Sequence, residues 1–194
     1  MSKGQQTKAR LVEKTAELIA AQGYHATGIN QITKESGTPM GSLYYHFPGG
    51  KDELVTSAMQ AGSDLITQAL HGIFSTNRDV STAIRSIVEL LSEQLERSAF
   101  MKGCPIATVT LETAAQNDMI QSLSQTIYRG WQVQIVQYLA QSGYDEQIAS
   151  SLALFVVTVI EGGLLLSRAE RSTIPLQQAG EQLIRFLGTY QQKV

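Results

Sequence analysis

Three adjacent polar-tipped rings, Tyr44, Tyr45 and His46, stand in "GSLYYHF", and the run ends in Pro48-Gly49-Gly50. Two phenols and an imidazole can donate and accept hydrogen bonds, which suits contacts to phosphates and base edges. Adjacent positions do not share a helix face, so at least one tyrosine should point away from any core. The plainer reading is that both tyrosines complete a small core and His46 is solvated. "GGK" at Gly49 to Lys51 does not make a phosphate loop. Tyr45 takes the place of the required earlier glycine, and Asp52 that of the Ser or Thr after the lysine. His25, His46, His71 and Cys104 lack paired ligand spacing, so neither a metal nor a cofactor is expected. A Cys–His nucleophile has no local support.

The elements that must position the rings are helices. Helical periodicity runs throughout and no strand-like alternation is convincing. The first helix is expected from about Thr7 to Gln22, with Leu11, Leu18 and Ile19 on one face and Gly23 as a left-handed cap. Thr27 caps a short second helix carrying Ile29 and Ile32. Thr38-Pro39 opens a third, which Pro48-Gly49-Gly50 stops after Phe47. Leu43 and Phe47, four apart, share a face that can pack on Ile29 and Ile32. Ser42, Tyr44, Tyr45 and His46 are then left on the other sides, with Gly41 allowing close approach. Two short helices around a Gly-containing turn form the helix-turn-helix pattern, whose second helix enters a major groove.

Longer helices follow: about Lys51–Phe74, Val80–Arg97, a short one from Pro105, Asp118–Gln141, Asp145–Arg171 and Pro175–Gln191. The expectation is an all-α chain of about nine helices, with a three-helix, helix-turn-helix DNA-binding head at 1–50 and a larger helical body at 51–194, to which the resemblance described below gives ligand binding and dimerisation. The whole chain of 194 residues carries a net charge of −2. Its first fifty residues hold Lys3, Lys8, Arg10, Lys14 and Lys34 against only Glu13, Glu17 and Glu35, which points an anionic partner to that end. One cysteine excludes an internal disulfide, and "MSKGQQTKAR" lacks the apolar core of a signal peptide, so a cytoplasmic protein is expected. Ile148–Ala169 is long enough to span a membrane, but it holds Glu161, Gly162 and Gly163, and the expectation is a buried helix rather than a span.

"ITKESGTPM" before "GSLYYHF", with "KDEL" soon after, closely resembles the DNA-binding domain of the TetR family over about residues 8–55. "HFPGGKDEL" and "KGCPIATVTLETA" are similar to its LmrA/YxaF-like subgroup. The resemblance implies a homodimeric, cytoplasmic transcriptional repressor that leaves its double-stranded operator when a small-molecule effector binds the body. By position, Met40, Gly41, Ser42, Tyr44 and Tyr45 would face the groove, and Thr27, His46 and Lys51 would reach phosphates. Met40 stands where a basic residue is common.

Soft and aromatic side chains of the body suit an apolar or planar ligand: Met59, Phe74, Phe100, Met101, Cys104, Trp131 and Phe155. Glu161, set in an apolar run, needs a partner if buried: Arg129, Arg168 or a ligand. The dimer surface is expected on the last two helices, with Val159, Gly163 and Leu166 on one and Leu176, Leu183 and Leu187 on the other. Gly49-Gly50, at the entrance of the fourth helix, is expected to act as a hinge, or else merely to make the turn. The competing function is an apolar-ligand-binding protein or enzyme with a vestigial helix-turn-helix head.

Overall fold

In the computed structural model, which describes residues 2–191, the described residues form helices and no strand. The helices are α1 (Lys3–Ala26), α2 (Ile29–Glu35), α3 (Met40–His46), α4 (Gly50–Thr76) and α5 (Val80–Arg97), followed by α6 (Pro105–Thr113), α7 (Asp118–Gln141), α8 (Glu146–Glu170) and α9 (Ile174–Gly188). Their ends follow local chemistry. Ser2 and Gln5 close a capping box on α1, and Asp79 and Asp145 accept backbone N–H groups at the starts of α5 and α8. Pro105 opens α6, where its missing N–H costs nothing.

The chain divides into two compact units. The first runs to Leu65 and adds Cys104–Gln125; the second comprises Ile66–Gly103 and the chain from Thr126. In the first unit, Leu11 and Leu18 of α1, Ile32 of α2, Leu43 and Phe47 around α3, and Leu54 of α4 make one buried cluster, flanked by Val12 and Ile29. Each such side chain contributes about 1.5–3 kcal/mol by leaving water. This cluster fixes the orientation of α3. Gly23 interrupts α1 at φ 81° and ψ −175°, so the break has the expected positive φ but an extended ψ rather than a left-handed cap. The positive φ calls for glycine there, and a Cβ at Gly23 would lie 1.7 Å from Glu112 Oε1 of α6, so the Glu112 carboxylate would have to shift. Helix α6 thus docks on α1 and belongs to the first unit.

Two caps differ from expectation. Thr27 does not cap α2, whose N-cap is Gly28 without a side-chain bond. Thr27 is fully buried and its hydroxyl donates to Gly23 O at 2.6 Å, so it serves the α1 break instead. At α3 the N-cap is Pro39, while Thr38 is buried with its hydroxyl directed to Ser36 O.

In the second unit α9 packs closely on α8 and α5. Small residues allow it: a Cβ at Gly180 would come 2.6 Å from Val88 Cγ2, and one at Gly163 would come 2.9 Å from Leu176 Cδ1. Ser167 Oγ of α8 accepts the N–H of Leu176 at 3.0 Å and so caps α9 from a neighbouring helix. This packing corrects the expected dimer surface. Leu176, Leu183 and Leu187 are buried within the subunit, and Gly163 is buried beneath Leu176. Val159 is half-buried and Leu166 is 55% exposed. The apolar side chains left outside are Leu154, Phe155, Leu165 and Leu166 on α8, with Ile174, Phe186 and Tyr190 at α9. Helix α8 is long and apolar enough to cross a membrane by length and composition. Its apolar residues divide instead between the α9 contact and this outer row.

Candidate nucleic-acid interface

Helix α3 is seven residues long and anchored from one side. Leu43 is fully buried and Phe47 is 1% exposed. Because the anchors lie four apart, the residues between them turn outward. Tyr45 is 81% exposed, Tyr44 49% and Met40 38%; Gly41 is exposed, and Ser42 and His46 are half-buried. The structure therefore gathers all six of these expected contact residues on one short helix. Tyr45 and His46 meet edge to face with ring centroids 5.0 Å apart. A Cβ on Gly4 would lie 3.7 Å from His46 Cε1, which places the imidazole beside the first turn of α1. Lys8 Nζ sits 5.4 Å above the Phe47 ring, adding positive charge at the same edge. Thr27 does not join this surface: it is buried, and its hydroxyl and N–H are both satisfied internally.

Lys51 has another engagement. Its Nζ lies 4.0 Å above the ring of Tyr24, and burial lowers its pKa. The Tyr24 hydroxyl donates to Asp52 Oδ1, and Asn117 Nδ2 donates to Asp52 Oδ2 at 2.9 Å. One carboxylate at the start of α4 therefore joins the end of α1 to the turn between α6 and α7. Burial first, then the hydrogen bond and charge of Asp52, push the Tyr24 phenol up to about 12. A second carboxylate, Glu112, accepts the His25 N–H at 2.8 Å, filling the gap opened by the Gly23 break. At the α4 entrance, Gly50 has φ 70°, and Glu53 Oε2 accepts the Gly49 N–H at 2.8 Å. The two glycines make a turn that Glu53 ties down. None of Tyr24, Asn117 or Glu112 was singled out from the sequence, since no short-range spacing links them.

The expected sensor residues are divided between the two units. Met59 is fully buried and, like half-buried Cys104, belongs to the first unit. Phe74 stacks on Tyr138 in the second unit, centroids 4.3 Å apart. Phe100 adopts φ 60° in a tight turn, where Arg168 donates to Phe100 O at 3.4 Å and to Met101 O at 2.9 Å. Arg168, one of the partners expected for Glu161, is thus engaged with these two carbonyls. Met101 is 63% exposed, and Phe155 lies on the outer row against Phe186 at 4.8 Å, so both depart from the expected lining. Trp131 and Glu161 come together through Tyr128: its ring meets Trp131 edge on at 5.3 Å, and its hydroxyl donates to Glu161 at 3.3 Å.

Residues 11–58 match the family described as bacterial regulatory proteins, tetR family. Residues 80–182 match the C-terminal domain of LmrA/YxaF-like transcriptional regulators. The HTH-type transcriptional regulator YxaF of Bacillus subtilis (strain 168) is 30% identical, over 91% of this chain and 93% of that protein. LmrA of the same organism, also an HTH-type transcriptional regulator, is 33% identical over 88% and 90%. A TetR transcriptional regulator from Chloroflexus aurantiacus J-10-FL superposes with a TM-score of 0.82 at 26% identity, covering 98% of each chain. These relatives are regulators, not enzymes. Reading helix, anchor and both halves of the chain agree: it belongs to the TetR family of transcriptional regulators.

Proposed function

We propose that this chain works in the cytoplasm as a homodimeric repressor, holding a palindromic operator with two α3 helices and leaving it when a small, mostly apolar or aromatic effector binds the second unit. The observation that carries the DNA-binding part is the division of α3 into a fully buried Leu43–Phe47 anchor and an exposed Met40–Tyr44–Tyr45 row. Rings held out by a rigid anchor lose little entropy on docking, which favours ordered contacts to a groove. Tyr44, Tyr45 and Ser42 can meet bases, while His46 and Lys8 lie where phosphates would flank them. Lys51 reaches a phosphate only by leaving the Tyr24 ring.

Coupling follows covalent continuity. Helix α7 starts in the first unit, where Asn117 holds Asp52, and continues into the second, where Tyr128 and Trp131 lie. An effector that shifts α7 would strain the Asp52 junction and the Glu112 clasp on α1, changing the presentation of α3. A tenfold change in operator affinity needs only about 1.4 kcal/mol of differential binding. This route takes the place of a Gly49-Gly50 hinge, whose turn Glu53 restrains.

The test is a gel shift on DNA upstream of the chain's own gene at several salt concentrations. Binding that sharpens on an inverted repeat, and falls linearly in log–log with salt, is expected. No retention of that DNA above bulk competitor at low salt would overturn the reading.

A further inference from the structure

We propose that the groove between α5 and α9 is a binding site for a linear aliphatic triamine, with its end ammonium groups on Glu89 and Glu96 and its middle nitrogen on Ser92. Both helices belong to the second unit, and occupancy of the groove requires neither DNA nor the effector reading above. The groove encloses about 560 Å3; its α5 wall carries Arg85, Glu89, Ser92, Glu93 and Glu96, and its α9 wall carries Glu181. Ser92 is 7% exposed, yet its buried hydroxyl oxygen has no hydrogen-bond partner among the described residues. Other buried helical hydroxyls are satisfied by their own backbone: those of Thr113 and Ser124 donate to the carbonyl four residues back, at 2.7 and 2.8 Å. Ser92 makes no such bond, and it lines the groove. A buried hydroxyl left in this state is destabilising until a partner reaches it.

Charge selects the ligand. Two of the carboxylates already have counter-ions: Arg85 grips Glu181 across the groove with two guanidinium nitrogens, and Arg97 holds Glu93 at 2.7 Å. Neither Glu89 nor Glu96 pairs with a cation among the described residues. They stand three residues before and four residues after Ser92, so the three share one face of α5. The helix rise sets Glu89 about 4.5 Å from Ser92 along the axis, and Ser92 about 6 Å from Glu96. An extended aliphatic chain advances about 1.2 Å per bond, so a three-carbon arm holds two nitrogens about 5 Å apart and a four-carbon arm about 6 Å. The unequal steps of the two chains match. Amines of this kind are protonated at neutral pH, as lysine is. The end ammonium groups then meet the two carboxylates, and the middle N–H donates to Ser92 Oγ. Val88 and Ile184 line the same groove and give the methylenes an apolar bed. A bare metal ion fits less well, since no group of three His, Cys, Asp or Glu among the described residues converges to hold one.

The probe is spermidine, whose arms have three and four carbons, compared with 1,8-diaminooctane, in which a methylene replaces the middle nitrogen. Calorimetric titration of the full chain, at low salt and without DNA, should show saturable binding of spermidine, at least tenfold tighter than the diamine. Ser92→Ala should weaken spermidine about tenfold and leave the diamine unchanged, a split that a general loss of packing or charge would not produce. Glu89→Gln and Glu96→Gln, both at exposed positions, should each weaken both amines about tenfold. Thermal melts identify an unfolded variant, and the two glutamate substitutions carry the test if Ser92→Ala does not fold. No saturable spermidine binding overturns the proposal, and so does equal binding of the two amines by the parent. Discrimination between the amines that survives in folded Ser92→Ala does the same, and would assign the hydroxyl to an enclosed water. Spermidine affinity unmoved by either glutamate substitution would mark diffuse attraction to an acidic surface and equally overturn the site.

Discussion

At the scale of single residues, α3 separates two kinds of aromatic position. Tyr45→Ala removes an exposed ring, so operator affinity should fall by about 1–3 kcal/mol if the hydroxyl reads a base, with the melting temperature nearly unchanged. Leu43→Ala empties a fully buried site and should cost about 2–5 kcal/mol of stability as well as affinity. Thermal melts paired with gel shifts separate the two; a Tyr45→Ala protein that binds normally would remove the ring from the interface. The sequence shows this division because Leu43 and Phe47 set the phase of a helix only seven residues long. Thr27 was misread for the opposite reason. A threonine at a helix boundary can cap outward or tie a carbonyl inward, and only the break at Gly23 decides it. Tyr24 supplies a pH test. Its phenol is pushed up to about 12, so the folded chain keeps a proton that the unfolded chain loses near 10. Stability from this group is full below pH 10 and is lost as pH rises towards 12. Tyr24→Phe should therefore flatten part of the alkaline decline in melting temperature; parallel declines would show that the phenol is not held by Asp52.

At the scale of elements, spacing gives each helix its place in the chain but not its neighbour. The starts of α5, α6 and α7 are legible from Asp79-Val80, from Pro105 and from Asp118, each with its own local signal. That α6 lies on α1 is not legible, because the contact depends on a missing side chain at Gly23 and a carboxylate far along the chain at Glu112. Gly23→Ala tests this docking. Alanine must adopt φ 81° and its methyl would overlap Glu112, so a loss of about 1–3 kcal/mol is expected. Hydrogen exchange at the His25 amide should rise with it, since the Glu112 acceptor is pushed away. Unchanged His25 protection in a folded Gly23→Ala protein would show that α6 is held by other contacts. The same dependence on distant partners explains why Met59, Met101 and Phe155 seemed equivalent in sequence. One is core, one is solvent-facing and one lies on the outer row of α8.

At the scale of the whole molecule, symmetry must do what one reading helix cannot. A single α3 spans too few base pairs to specify an operator, and a two-fold pair reads an inverted repeat whose spacing mirrors the dimer. The leucine stripe of α9 is consumed within the subunit, because Gly163 and Gly180 let α9 settle against α8 and α5. The remaining surface is the outer row of α8 with the Phe155–Phe186–Tyr190 aromatic chain, in which successive ring centroids are 4.8 and 5.2 Å apart. Exposed leucines and aromatics in one stretch are costly to leave in water and typical of an interface core. Leu166→Asp puts a charge where that core would close, without touching the subunit's own packing. Light scattering should report a monomer with parental helicity, and affinity for an inverted repeat should fall to that of a single half-site. Leu183→Ala should do the converse: about 2–5 kcal/mol of stability lost, with the dimer preserved at temperatures where the chain stays folded. A Leu166→Asp protein that remains dimeric and grips both half-sites would move the interface off α8 altogether.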